Sequence, residues 1–320
     1  MLLKAESNLD DESNDEEIKD GEKVPVVIQS ATPVVYPIIM KILKSKKLMN
    51  KIEIKELKMW EKAENHMSWL MNGKADITFS AVVAAAKLYL NGIDLRMKSI
   101  NVWDNFYLLT RGYKADDFGD LKRHRINVPL AKGTPPFGVT KYLMKKTGYN
   151  PEKFDFVFGK PFGRPEDLKN KFIRGEIDTV LLREPEATFA LEEAEDAVVS
   201  IAYKDIWNKI HPEAGKLPNA GLVFNGEFAD KHPEIVDLFM EEIEKAIKQI
   251  KNNPKKSAEE SFDIMNQSIE VIEKFLGRVT FDFKSGLDYA DEIIYYLKVL
   301  DEEGSFDTKG NLEELENMFK

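Results

Sequence analysis

The chain of 320 residues contains no cysteine. That excludes disulfides, thiolate nucleophiles and metal sites built on thiolates, and it leaves the compartment open. Histidine is scarce too. His66, His124, His211 and His232 stand in unrelated contexts, with none of the H-E-x-x-H spacing that places two imidazoles on one helical face. A phosphate-cradling P-loop and a G-x-S-x-G nucleophile elbow are both missing. No apolar run approaches the roughly 18 residues that suggest a membrane span. Basic residues do not dominate either: 46 Lys and Arg stand against 56 Asp and Glu, so a nucleic-acid footprint is not expected. No cofactor is expected.

The formal net charge of -10 is unevenly spread. Residues 1–21 hold Glu6, Asp10, Asp11, Glu12, Asp15, Glu16, Glu17 and Asp20 against two lysines, leaving about -4 for the rest. With almost no apolar side chain after Leu9, residues 1–22 cannot bury surface and are expected to be a disordered acidic tail or tether. Met1-Leu2-Leu3 is too short for the apolar region of a signal peptide.

An internal echo carries most of the information. Residues 26–32 read VVIQSAT and residues 128–134 read VPLAKGT, and each is followed by proline. Thr32-Pro33 and Thr134-Pro135 lie 102 residues apart, as do Gly73-Lys74-Ala75-Asp76 and Gly175-Glu176-Ile177-Asp178. Two anchors sharing one offset require the same order of elements between them.

Periodicity supplies those elements. Val24–Ile28 is a short apolar run suited to a buried parallel strand. Thr32 and Pro33 suit a helix start, with Thr32 as the cap, and Val34, Val35, Ile38, Ile39, Ile42 and Leu43 recur at helical spacing. A second strand follows near Lys51–Leu57, then a helix ending at Asn72-Gly73, then a strand at Ile77–Phe79 after which Ser80 could cap a helix. The second half repeats this with strands at Ile126–Leu130, Phe154–Phe158 and Thr179–Leu182. Stretches at Leu95–Thr110 and Asn219–Phe224 could carry the chain across and back. From Lys231 onward the pattern is largely helical. The result is β-α-β-α-β-α twice: an α/β protein of two lobes, each a mostly parallel sheet with helices on both faces. Ligands of such sheets bind at the carboxyl ends of the strands.

This order of elements, the G-x-x-D motif before each third strand, the Arg183-Glu184-Pro185 turn and the Lys231-His232-Pro233-Glu234 helix opening resemble the solute-binding proteins of ABC importers. The closest likeness is to the nitrate/sulfonate/taurine group, relatives of which bind thiamine-pyrimidine precursors. Arg183 stands where that group commonly has an aromatic residue. The resemblance covers roughly residues 24–300. It implies a periplasmic-binding-protein-like fold of type II with two hinge crossings, lobe 1 from 23–106 and 222–320, and lobe 2 from 107–221. It also implies a monomer outside the cytoplasm, its export signal not part of this chain, with the acidic tail as a tether to a lipid anchor. Its partners would be a small polar or anionic solute and the permease subunits. Cytosolic enzymes of the same fold are the alternative, although the pyrimidine synthases among them use a cysteine-rich motif that this chain lacks.

Candidate contacts follow from the strand ends. Ser30, Thr32, Lys132, Gly133 and Thr134 can offer hydroxyls and backbone N–H groups at helix starts, which suit an anion; ordinary capping is the competing role. Ser80 and Arg183 follow the third strands. The Arg183 guanidinium could grip a carboxylate, sulfonate or phosphate, or pair with a neighbouring acid. Trp60, Trp103, Tyr107 and Phe162 could wall a pocket or pack in the core.

Overall fold

The structure is a computed structural model describing residues 23–60, 63–159, 165–213 and 215–320. The acidic tail and Phe162 lie outside the described residues. Eleven strands form two sheets among the described residues. The first is built from β1 (Val24–Ser30), β2 (Ile52–Met59), β3 (Ile77–Ala81), β4 (Leu95–Trp103), β10 (Pro218–Asn225) and β11 (Thr280–Ser285), in the order β11-β4-β10-β3-β1-β2. The second contains β5 (Phe106–Arg111), β6 (Arg125–Val128), β7 (Asp155–Phe158), β8 (Thr179–Arg183) and β9 (Ala197–Ala202), in the order β7-β6-β8-β5-β9.

The repeat survives as architecture. The triads β2-β1-β3 and β7-β6-β8 are both parallel, with the same strand at their centre. Helix 63–71 precedes β3 as helix 165–173 precedes β8, and both end in the same way. Gly73 and Gly175 take φ of +59° and +72°, where a Cβ would be strained. One residue on, Lys74 N–H donates to Trp69 O and Glu176 N–H to Lys171 O, each at 3.0 Å. That reversal satisfies carbonyls the helix end leaves open and turns the chain into the third strand.

The strands that cross between sheets join antiparallel. β10 inserts between β3 and β4, and β5 pairs with β8 and β9. Two crossings connect the sheets, the turn at Asp104-Asn105 and the run from β9 through helix 203–210 into β10. They are bonded to each other: Asp104 N–H donates to Leu217 O at 2.8 Å, and Leu217 N–H to Asp104 Oδ1 at 2.9 Å.

Central strands are covered on both sides, so β1 buries Val26 and Ile28 together with Gln29 and Ser30. Each such aliphatic side chain contributes about 1.5–3 kcal/mol. The 20-residue helix Pro233–Asn252 lays Val236, Phe239, Ile243, Ile247 and Ile250 along one buried stripe. Three features depart from the sequence pattern. The helix after Thr32 begins as a 3-10 turn, Pro33–Val35, before turning α-helical at Tyr36. β9 and β11 are strands that patterning missed.

Candidate functional site

The carboxyl ends of β1 and β3 bring together Gln29, Ser30, Thr78 and Ser80, all fully buried or nearly so. Buried polar groups need partners, and here they partner one another. Gln29 Nε2 donates to Thr78 Oγ1 at 3.2 Å, while Gln29 Oε1 accepts from Trp60 Nε1 at 2.8 Å. The Trp60 backbone N–H donates to Ser30 O at 2.8 Å, and Ser30 Oγ accepts from Thr32 N–H at 3.1 Å. Trp60 stays half-buried, edge-on to Trp69 with centroids 5.0 Å apart.

His66 completes this cluster, and sequence reasoning overlooked it. It sits in the first turn or so of helix 63–71, next to the strand ends, with Nε2 3.3 Å from Ser80 Oγ. Its Nδ1 has no hydrogen-bond partner among the described residues. Burial pushes the imidazole down to about 4, so it is neutral at physiological pH. A signal was present: His66 and Leu70 are four residues apart, hence on the same helical face, and Leu70 is buried.

Capping expectations need correction. Ser80 lies inside β3, and Ala81 occupies the cap position of helix Val82–Tyr89. Thr32 and Thr134 hold cap positions, but neither side chain caps its helix, and Thr134 Oγ1 donates instead to Ala131 O at 2.8 Å. Side-chain caps are therefore absent at these three starts, leaving first-turn N–H donors at the strand ends.

In the second sheet, Lys132 and Gly133 are exposed in the loop after β6, and Gly133 takes φ +89°. Arg183 ends β8, half-buried, and its one ion pair among the described residues is to Glu186 at 3.8 Å. Beside it Glu184 is 1 % exposed. Its backbone N–H donates to Asn105 Oδ1 at 3.0 Å and its Oε2 accepts from Thr188 N–H at 3.1 Å. Oε1 has no hydrogen-bond partner among the described residues, and burial raises the carboxyl to about 7. Asn105 Nδ2 reaches Asn219 Oδ1 at 3.3 Å, so Glu184 is linked to both crossings.

Trp103 and Tyr107 are core residues. Trp103 is 2 % exposed and donates its indole N–H to Asp282 O at 2.9 Å; Tyr107 Oη donates to Arg278 O at 3.1 Å. Among the described residues no cluster of three or more His, Cys, Asp or Glu could hold a metal ion. No described helix is long and apolar enough to cross a membrane.

Solved structures share this fold. The periplasmic aliphatic sulphonate binding protein SsuA from Escherichia coli superposes with a TM-score of 0.70 at 13% identity, covering 88% of this chain and 92% of that one. The alkanesulfonate-binding protein SsuA from Xanthomonas axonopodis pv. citri, bound to MOPS, gives 0.67 at 13% identity, with 89% and 95% covered. A Candida albicans gene product, described as exhibiting the generic periplasmic binding protein structural fold, gives 0.64 at 11% identity, with 93% and 95% covered. This chain has the periplasmic-binding-protein fold. No family model matches it, and no curated protein matches it in sequence. Within the periplasmic-binding-protein fold, the strand ends of the two sheets are the edges that carry Ser30, Ser80 and Arg183.

Proposed function

We propose that the protein captures a small anionic organic solute between its two lobes and delivers it to an ABC permease outside the cytoplasm. The lobes are taken as 23–106 with 222–320, and 107–221, pivoting at the paired crossings. The observation that supports this most is that helix starts without side-chain caps stand at strand ends of both sheets, with Arg183 at another strand end of the second. Partial positive charge at helix starts and a guanidinium whose nearest acid is 3.8 Å away both favour an anion. Ser30, Thr32, Ser80, Lys132, Gly133 and Thr134 would supply donors, and Trp60 an apolar wall. Trp103 would act behind them, shaping the crossing from within the core. The sulfonate ligands in the names of the structural relatives fit this chemistry.

Closure would expel water and strengthen these contacts, and its extent would follow the difference in affinity between open and closed states. Enzyme chemistry finds less support: an activated Ser80 would need His66 oriented through Nδ1, and that atom has no partner among the described residues. The test is a thermal-shift screen over alkanesulfonates, carboxylates, phosphates and heterocycles, with mass spectrometry of recovered ligand. A concentration-dependent rise in Tm with unchanged ligand is the expected result. Conversion of a ligand to product, or stabilisation by cations alone, would overturn the proposal.

A further inference from the structure

The two crossings are not all that holds the sheets together. After β11 the chain leaves the first sheet and forms helix Ala290–Glu302. That helix packs on helix Pro135–Lys146 and helix Tyr203–Ile210, both attached to the second sheet. Tyr295 Oη lies 3.3 Å from Tyr142 Oη, and Tyr296 meets Trp207 with ring centroids 6.2 Å apart. At the helix end, Glu303 is 8 % exposed and accepts Lys145 Nζ on both carboxylate oxygens, at 2.7 and 2.9 Å. Lys141 Nζ reaches the same residue, through its carboxylate at 3.6 Å and its backbone carbonyl. Ser305 then presses so closely on Gly138 that a Cβ there would lie 2.5 Å away.

The chain turns back over its last residues. Leu312–Phe319 forms a 3-10 helix whose Leu315, Met318 and Phe319 are buried in one cluster with Leu95 and Met97 of β4. Lys98 Nζ, also on β4, donates to Lys320 O at 2.5 Å. One continuous segment is thus anchored on the second sheet through Tyr295, Tyr296 and Glu303, and on the first through Phe319 and Lys320.

We propose that residues 290–320 are a clasp that ties the two lobes to each other, packing on helix 203–210 of the second crossing and on helix 135–146 beyond it, and sets how far they can separate. Hinge motion about Asp104-Asn105 alone would pull these anchors in opposite directions. Tyr296, Glu303 and Phe319 are buried, so stretching either anchor exposes apolar surface or leaves the Glu303 carboxylate without its lysines. A two-state opening equilibrium shifts by as much as the two states differ in such contacts. The clasp therefore narrows the range of lobe separation with or without a ligand. This inference needs no solute, so its failure is distinct from failure of the binding proposal.

The absence of cysteine makes the test direct. Spin labels are placed at Lys51→Cys and Glu152→Cys, exposed positions next to β2 and β7, and their separation is measured by pulsed electron resonance without ligand. Two variants each loosen one anchor, Glu303→Gln on the second sheet and Phe319→Ala on the first. The expected result is a broader and longer distance distribution in each, with circular dichroism unchanged. Distributions matching the parent in folded variants would overturn the clasp. Because either anchor suffices for the test, a variant that fails to fold leaves the other to decide it.

Discussion

His66 Nε2 lies 3.3 Å from Ser80 Oγ, joining the helix that precedes β3 to the end of that strand. Burial holds this imidazole neutral, at about 4 against its ordinary 6.5. The folded protein therefore resists a proton that the unfolded chain accepts. Stability from this group is fully present above about 6.5 and is lost as pH falls toward 4. The loss amounts to roughly 3 kcal/mol. Urea unfolding of His66→Gln should show a flatter dependence between these values than the parent. A parallel dependence in both would mean that other groups dominate.

Glu184 has the opposite slope. Its carboxyl is raised from 4.5 to about 7 by burial, so the folded state binds a proton that the unfolded state has released. Its contribution is most favourable below about 4.5 and weakens as pH rises toward 7. Glu184→Gln, which keeps the shape and an acceptor, should gain stability relative to the parent as pH rises over that window. Equal unfolding free energies across the window would show that the carboxyl is solvated.

Arg183→Ala should weaken binding of a sulfonate or carboxylate ligand by about 2–4 kcal/mol, the scale of removing one partner of a buried charge pair. Arg183→Lys should recover only part, because an ammonium lacks the planar fork. Calorimetric titration reads both. An unchanged Kd in Arg183→Ala would assign the side chain to its pair with Glu186 alone.

Trp60 gives an optical readout. Trp103 and Trp207 are 2 % and 1 % exposed, whereas Trp60 and Trp69 are half-buried. Ligand closure should change emission mainly through Trp60, and Trp60→Phe should remove most of the change while costing about 1 kcal/mol of affinity. A full-sized signal in Trp60→Phe would place the ligand elsewhere.

The repeat made the parallel triads legible. Thr32-Pro33 and Thr134-Pro135 mark a shared helix start, and Gly73 and Gly175 are required by a shared helix end, and such local chemistry is written in short motifs. Less local features escaped. β11 reads Thr280-Phe-Asp-Phe-Lys-Ser between two amphipathic helices and pairs only with β4, so its strand character depends on a partner nearly 180 residues earlier. The cluster of Gln29, Trp60, His66 and Ser80 depends likewise on two strand ends meeting, which spacing along the chain does not encode. Ser80 illustrates the cost of reading it locally: its position before a helix suggested a cap, while β3 extends one residue past it and turns its hydroxyl to His66.

The insertion of β10 between β3 and β4 orders events during synthesis. Strands β2, β1 and β3 emerge first, but their sheet cannot reach β4 until residues 218–225 arrive to bridge them. Every strand of the second sheet precedes that bridge, because its last strand ends at Ala202. On the ribosome, the second sheet can therefore be complete while the first still has an open edge at β3, a bare row of N–H and C=O groups exposed to other chains.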